Sequence, residues 1–205
     1  MSDNNVLAQQ HLLCVSKVQD LDFRRIVLEN GVLNVSRKEP RELLTFLVKT
    51  VIGQQLSTSA ARSIWLRVER LAVEKRCNLI QLLCDDNLDC LRQCGLSNNK
   101  VKATLEINSV LGSESGFSET LLNSNYPDVV NKIESIWGLG RWSADMCAMF
   151  YCGLQDVLPI NDSAINKGVK KLFGTADVEY VTEKYAPFRT YMCLHIWRAI
   201  DGNYL

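Results

Sequence analysis

Ile136-Trp137-Gly138-Leu139-Gly140-Arg141-Trp142-Ser143-Ala144 decides the architecture of this 205-residue chain. A helical pattern runs from Tyr126 to Ile136 before it. A second runs from Trp142 to Tyr151 after it and is stopped near Gly153. Two glycines one residue apart, between two helices, predict a tight hairpin in which both allow φ > 0 and close approach of backbone. The helix that starts at Arg141 or Trp142 then presents unpaired N–H groups and a partial positive charge. Such a corner is either an ordinary connection or an anion site of the size of a phosphate. In the second reading, Gly138, Leu139, Gly140, Arg141 and Ser143 are the contact residues. The backbone carbonyls of Glu134, Ile136 and Leu139 are then candidate ligands for a monovalent cation, Na+ or K+.

Outward from the hairpin the chain continues as helix after helix. Leu43 to Ile52 reads as a buried helix, and Ala60, Ile64, Trp65, Val68, Leu71 and Ala72 recur at helical spacing. Leu79–Leu83 and Leu88–Cys94 predict two short helices, the second ended by Gly95. Val101 to Leu111 predicts another, ending near Gly112, followed by a polar loop over Ser113–Phe117. Asp162–Phe173 and Pro187–Ile200 are the last long helices. Val32–Ser36 is the one candidate strand, or else an extended lead-in. The expected class is all-α, in two helical lobes with a cleft between them. One lobe is expected over 42–150, with the helix-hairpin-helix at about 125–152, and the other over 1–41 plus 151–205.

Charge excludes one route to polyanions. With 23 basic and 23 acidic side chains there is no global positive field, so any nucleic-acid contact must rest on local groups. No apolar run is long enough to span a membrane, and the polar start Met1-Ser2-Asp3-Asn4-Asn5 lacks the basic region of a secretory signal. The eight cysteines include no Cys-x-x-Cys; Cys90 and Cys94 lie at i, i+4, and Cys147 and Cys152 at i, i+5. They read as reduced thiols of an intracellular protein, and no metal-ligand cluster is expected.

Three further features carry candidate chemistry. Asp162 lies twenty residues after Trp142, in Asp156-Val157-Leu158-Pro159-Ile160-Asn161-Asp162. It is either a plain N-cap or a carboxylate set to stabilise positive charge, and a helix N-terminus serves both. Trp65 reads as core. Trp142 and Trp197 read as core or as faces on which a base can stack. Gly53-Gln54-Gln55-Leu56-Ser57 precedes a strong helix. It is either a capped surface turn or a loop that pushes a side chain into a duplex.

Taken together, these blocks resemble the helix-hairpin-helix DNA glycosylase superfamily, and its 3-methyladenine DNA glycosylase II branch most. The resemblance covers about residues 42–205. It runs through Val51–Ser57, Leu91-Arg92-Gln93-Cys94-Gly95-Leu96-Ser97, Gly138–Ala144, Asp156–Asp162, and the tail Pro187-Phe188-Arg189-Thr190-Tyr191 with Leu194-His195-Ile196-Trp197. It implies that Asp162 is the catalytic carboxylate and that Trp142 and Trp197 line a base pocket with Met146 and Ser163. It implies a DNA wedge among Gln54, Gln55 and Leu56, with Gln55 the best placed. Trp137 departs from the Pro usual before the first hairpin glycine. Met146 and Ser163 stand where relatives can carry aromatics, so a less aromatic pocket is expected.

The implied activity is monofunctional, hydrolytic excision of alkylated purines of the 3-methyladenine and 7-methylguanine type, in base excision repair. Trp142 stands where bifunctional relatives carry a Lys. The alternatives are a glycosylase for another base lesion and a non-catalytic DNA-binding helical module. The implied partner is double-stranded DNA with damaged bases, bound by a monomer without membrane contact. No cofactor and no iron–sulfur cluster are expected beyond the hairpin cation. The expected compartment is the nucleoid of a bacterium or the nucleus of a eukaryote.

Overall fold

The computed structural model describes residues 3–205, and among these are thirteen α-helices and no strand. In chain order they are α1 (Asp3–Val15), α2 (Leu21–Asn30), α3 (Leu43–Gly53), α4 (Thr58–Glu74), α5 (Leu79–Leu82) and α6 (Leu88–Gln93). Then come α7 (Asn98–Ser113), α8 (Phe117–Leu122), α9 (Tyr126–Glu134), α10 (Arg141–Phe150), α11 (Ser163–Phe173), α12 (Val178–Thr182) and α13 (Arg189–Asp201). The chain forms two compact units: Lys38–Cys147, and Met1–Arg37 with Ala148–Leu205.

In the Lys38–Cys147 unit, α3 is apolar on nearly every side, which is why it is central. Leu43, Leu47, Val48, Val51 and Ile52 are all buried, and the helix packs on α4 and α7. Ile64 and Val68 of α4, Leu91 of α6 and Val101 of α7 close the same core. Truncating one such Leu or Ile to Ala costs about 2–5 kcal/mol. The helix starts follow cap chemistry. Ser57 accepts from Ala60 N–H at 3.3 Å, Ser97 from Lys100 N–H at 3.4 Å, and Asn125 from Asp128 N–H at 3.0 Å.

In the other unit, α13 packs on α2 and α11. Gly168 lets α11 approach closely, since a Cβ there would lie 2.4 Å from Ile196 Cγ2. Phe23 meets Tyr185 edge-on at 5.0 Å and Phe173 at 5.8 Å. Two buried polar residues, Asn30 and His195, are paired across elements. Asn30 donates to His195 Nδ1 and to the His195 carbonyl, both at 3.1 Å. The segment that leads to Asp162 is anchored on the start of α13. Arg189 grips Asp156 with two bonds of 2.7 Å. Thr190 Oγ1 donates to the Leu154 carbonyl at 2.7 Å and accepts from Val157 N–H at 3.0 Å. The Asp156 of the conspicuous sequence block is therefore an anchor for the loop.

The structure decides three expectations about the elements. Of the two readings left open for Val32–Ser36, the strand is not formed. Phe117 does not belong to a loop but opens α8, and its ring is buried. The helix expected to end near Gly112 does so: α7 runs to Ser113. Helices α1, α2 and α12 had no clear sequence signal. In α1 the buried set is Asn5, Ala8 and Leu12, too small a stripe to stand out.

Candidate active site

Asp162 is the N-cap of α11. Pro159 precedes it, and the Asp162 N–H donates to the Pro159 carbonyl at 2.9 Å, closing a turn that ends the loop. Its Oδ1 accepts from Ala164 N–H at 3.0 Å, Ile165 N–H at 2.9 Å and Trp197 Nε1–H at 3.2 Å. The N-cap reading of Asp162 holds, and the capping carboxylate is partly exposed and also takes an aromatic donor. Trp197 is itself partly buried, with Phe150 5.8 Å away at a tilt of 41°. Ser163, the first residue of α11, is exposed.

The hairpin joins α9 to α10. Leu139 N–H donates to the Ile136 carbonyl at 3.1 Å, and Ala144 N–H to the Gly140 carbonyl at 3.1 Å. Only one of the two glycines has the expected backbone. Gly138 lies at φ +88, and a Cβ on it would meet Ala103 Cβ at 2.5 Å. Gly140 has no positive φ, and nothing among the described residues lies within 4 Å of a Cβ built there. The positive φ expected of the turn is carried by Gly138 and not by Gly140. The conformation of Gly140 suits any residue, so packing does not require a glycine there. Trp137 is 41% exposed, and Lys102 Nζ lies 4.1 Å above its ring. That contact sets a cation beside the turn. The Ile136 carbonyl, one of the three expected cation ligands, takes a hydrogen bond within the hairpin.

Arg141 opens α10 and is held by a fork. Its Nε donates to Asp145 Oδ1 at 3.1 Å and its Nη2 to the Tyr126 hydroxyl at 3.0 Å. Tyr126 in turn donates to Asp145 Oδ1 at 2.6 Å. Asp145 is fully buried, and its other oxygen has no partner among the described residues. Burial pushes its carboxyl above the usual range, opposed by Tyr126 and Arg141. Burial first, then Asp145, pushes the Tyr126 hydroxyl up to about 12. Sequence reading missed Asp145, although Arg141 and Asp145 at i, i+4 are a signal for a pair. Trp142 is partly exposed at the start of α10, while Met146 and Ser143 are buried.

The turn after α3 separates its two glutamines. Gln54 Nε2 donates to the Gly138 carbonyl and to Ser143 Oγ, each at 3.1 Å. Gln55 is exposed at φ +57, and Leu56 beside it is 41% exposed. Lys100 Nζ donates to the carbonyls of Ile52 at 2.8 Å and Gln54 at 2.9 Å, and burial lowers its pKa. Nothing in the sequence pointed to Lys100. Among the described residues no group of His, Cys, Asp and Glu is placed to hold a metal ion, and no helix is long and apolar enough to cross a membrane.

No protein-family model matches the chain. It is 26% identical over 187 residues to DNA-3-methyladenine glycosylase 1 of Schizosaccharomyces pombe, covering 87% of this chain and 82% of that protein. The structure of the S. pombe 3-methyladenine DNA glycosylase Mag1 in complex with abasic DNA superposes with a TM-score of 0.78. That match has 26% identity and covers 94% of this chain and 95% of the other. The DNA-3-methyladenine glycosidase of Bacillus halodurans superposes with a TM-score of 0.71, with 28% identity over 93% of this chain and 88% of the other.

Proposed function

We propose that this chain, which belongs to the helix-hairpin-helix DNA glycosylase superfamily, excises alkylated purines from DNA by hydrolysis and leaves the strand uncut. The observation that carries the reading is Asp162: one partly exposed carboxylate, fixed by two helix N–H groups and an indole. Breaking an N-glycosidic bond builds positive charge on the deoxyribose. A carboxylate held in place stabilises that charge and orients the attacking water. A purine alkylated at N3 or N7 is already cationic and leaves without a strong acid, so no cofactor is assigned to the chemistry.

We assign Trp142 and Trp197 to stacking on the flipped base, and Met146 and Ser163 to its recognition. We assign Gly138, Leu139, Gly140, Arg141 and Ser143 to the phosphate grip, and Gln55 with Leu56 to the wedge. The open space over Gly140 supports the grip, as does a guanidinium already oriented by Asp145 and Tyr126. Contacts of this kind hold the backbone and leave sequence unread. The partner is damaged duplex DNA, the acting species a monomer, and the compartment the one that holds the genome. The test is release of methylated bases from duplex DNA by the purified protein. Binding without base release would leave only a DNA-binding module.

A further inference from the structure

One side chain ties the turn after α3 to the hairpin. Gln54 bridges the Gly138 carbonyl and Ser143 Oγ, so both hydrogens of its amide are engaged inside the protein. The turn is held from the other side by Lys100, whose ammonium caps the carbonyls of Ile52 and Gln54 at the end of α3. The next residue, Gln55, is exposed in a left-handed conformation that non-glycine residues keep only where the surroundings impose it. Leu56 N–H closes the turn on the Gly53 carbonyl at 3.2 Å.

We propose that Gln54 and Lys100 are positioning residues. They hold Gln55 in its left-handed form and register it on the Gly138–Gly140 hairpin, so that the grip on the phosphate backbone sets where the wedge enters the base stack. The proposal rests on the glycosylase reading, and it takes Gln54 out of the wedge itself. Lys100 fixes the end of α3, Gln54 fixes the turn to the hairpin, and Gln55 is the one glutamine left to project. Placement matters because small displacements of a functional group cost large factors in rate.

The test compares excision of one alkylated purine in a Watson–Crick pair with excision from a weakened, mismatched pair, where less wedging is needed. For Gln54→Ala and Lys100→Met the ratio of paired to mismatched excision falls about tenfold, in line with the loss of a positioned group. A merely structural role lowers both rates together and leaves the ratio alone. A mutant cycle guards against partial unfolding. Gln54→Ala added to Gln55→Ala lowers the ratio no further than Gln55→Ala alone, because the wedge it positions is gone. An unchanged ratio in the single variants, or additive losses in the double, overturns the proposal while the glycosylase reading stands. A wild-type protein that releases no base from either duplex overturns both.

Discussion

The indole N–H of Trp197 and the N-terminal amides of α11 converge on one oxygen of Asp162. Trp197 approaches at 3.2 Å from α13, thirty-five residues away in the chain. The carboxylate therefore has its orientation imposed by two helices, one that it caps and one that donates to it. An ordinary N-cap needs only the first.

Asp162→Asn separates these duties. Asn caps helices as well as Asp, so the melting temperature should stay close to wild type. Excision should fall about 10²–10³-fold or more, the scale seen when a preorganised electrostatic contact is removed. Binding to damaged duplex, followed by anisotropy, should change little, because the charge acts in the transition state. Trp197→Phe keeps a ring and removes the donor, and should lower the excision rate more than the affinity. Near wild-type turnover in Asp162→Asn would remove this residue from the chemistry.

The two hairpin glycines should respond differently to alanine. Gly138→Ala forces a Cβ to 2.5 Å from Ala103 at φ +88, and should lower stability by about 1–3 kcal/mol. Gly140→Ala meets nothing, so thermal melting should be unchanged. Its affinity should fall for every duplex alike, damaged or intact, whatever the sequence. Calorimetry and anisotropy on unrelated duplexes separate the two. A Gly140→Ala loss confined to one sequence would argue for base readout at the hairpin.

Borohydride should trap no covalent complex with damaged DNA. A Schiff base needs an amine nucleophile, and the residues assigned to the base pocket, Trp142, Trp197, Met146 and Ser163, supply none. The product should be an intact strand with an abasic site, cleaved only after alkali. A trapped adduct that disappears on replacing a lysine would show lyase chemistry.

Cationic lesions should be excised faster than neutral ones. A cation over a tryptophan face gains about 0.5–2 kcal/mol, and the same cation is the better leaving group. Rates on duplexes carrying a single 3-methyladenine, uracil or 8-oxoguanine decide the order. Faster removal of uracil or 8-oxoguanine would move the assignment to another lesion class.

His195 should make stability depend on acid. Burial, helped by Arg198, lowers its pKa to about 4, against about 6.5 in an unfolded chain. The unfolded state therefore takes a proton that the folded state refuses. The contribution is complete above about pH 6.5 and is lost as pH falls toward 4, up to about 3 kcal/mol for a shift of this size. Asp145, whose carboxyl is raised, works in the opposite sense, so the comparison must be with a variant. Denaturant unfolding of wild type and His195→Gln from pH 7 to 4.5 should show a shallower loss in the variant. Identical slopes would exclude His195 as the source.

Much of this protein is legible along the chain. Apolar spacing marks α3, α4, α7 and α11, and Ser57 and Asp162 mark helix starts, because periodicity and capping act over a few residues. The spaced glycines mark the hairpin for the same reason. Pairings between distant residues are a different matter. That Gly138 must be glycine and Gly140 need not be is set by Ala103 on another helix. That Gln54 is engaged while Gln55 projects is set by Gly138 and Ser143, more than eighty residues on. Asn5 can be buried in α1 because Tyr191 and Asn34 satisfy its amide. Asp145 becomes a buried anchor because Tyr126 reaches it. Local patterning marked the strongly periodic helices and some of their starts, and left α1, α2 and α12 unmarked. Desolvation and hydrogen bonding between elements, which exist only once the chain has folded, decided what each polar side chain does.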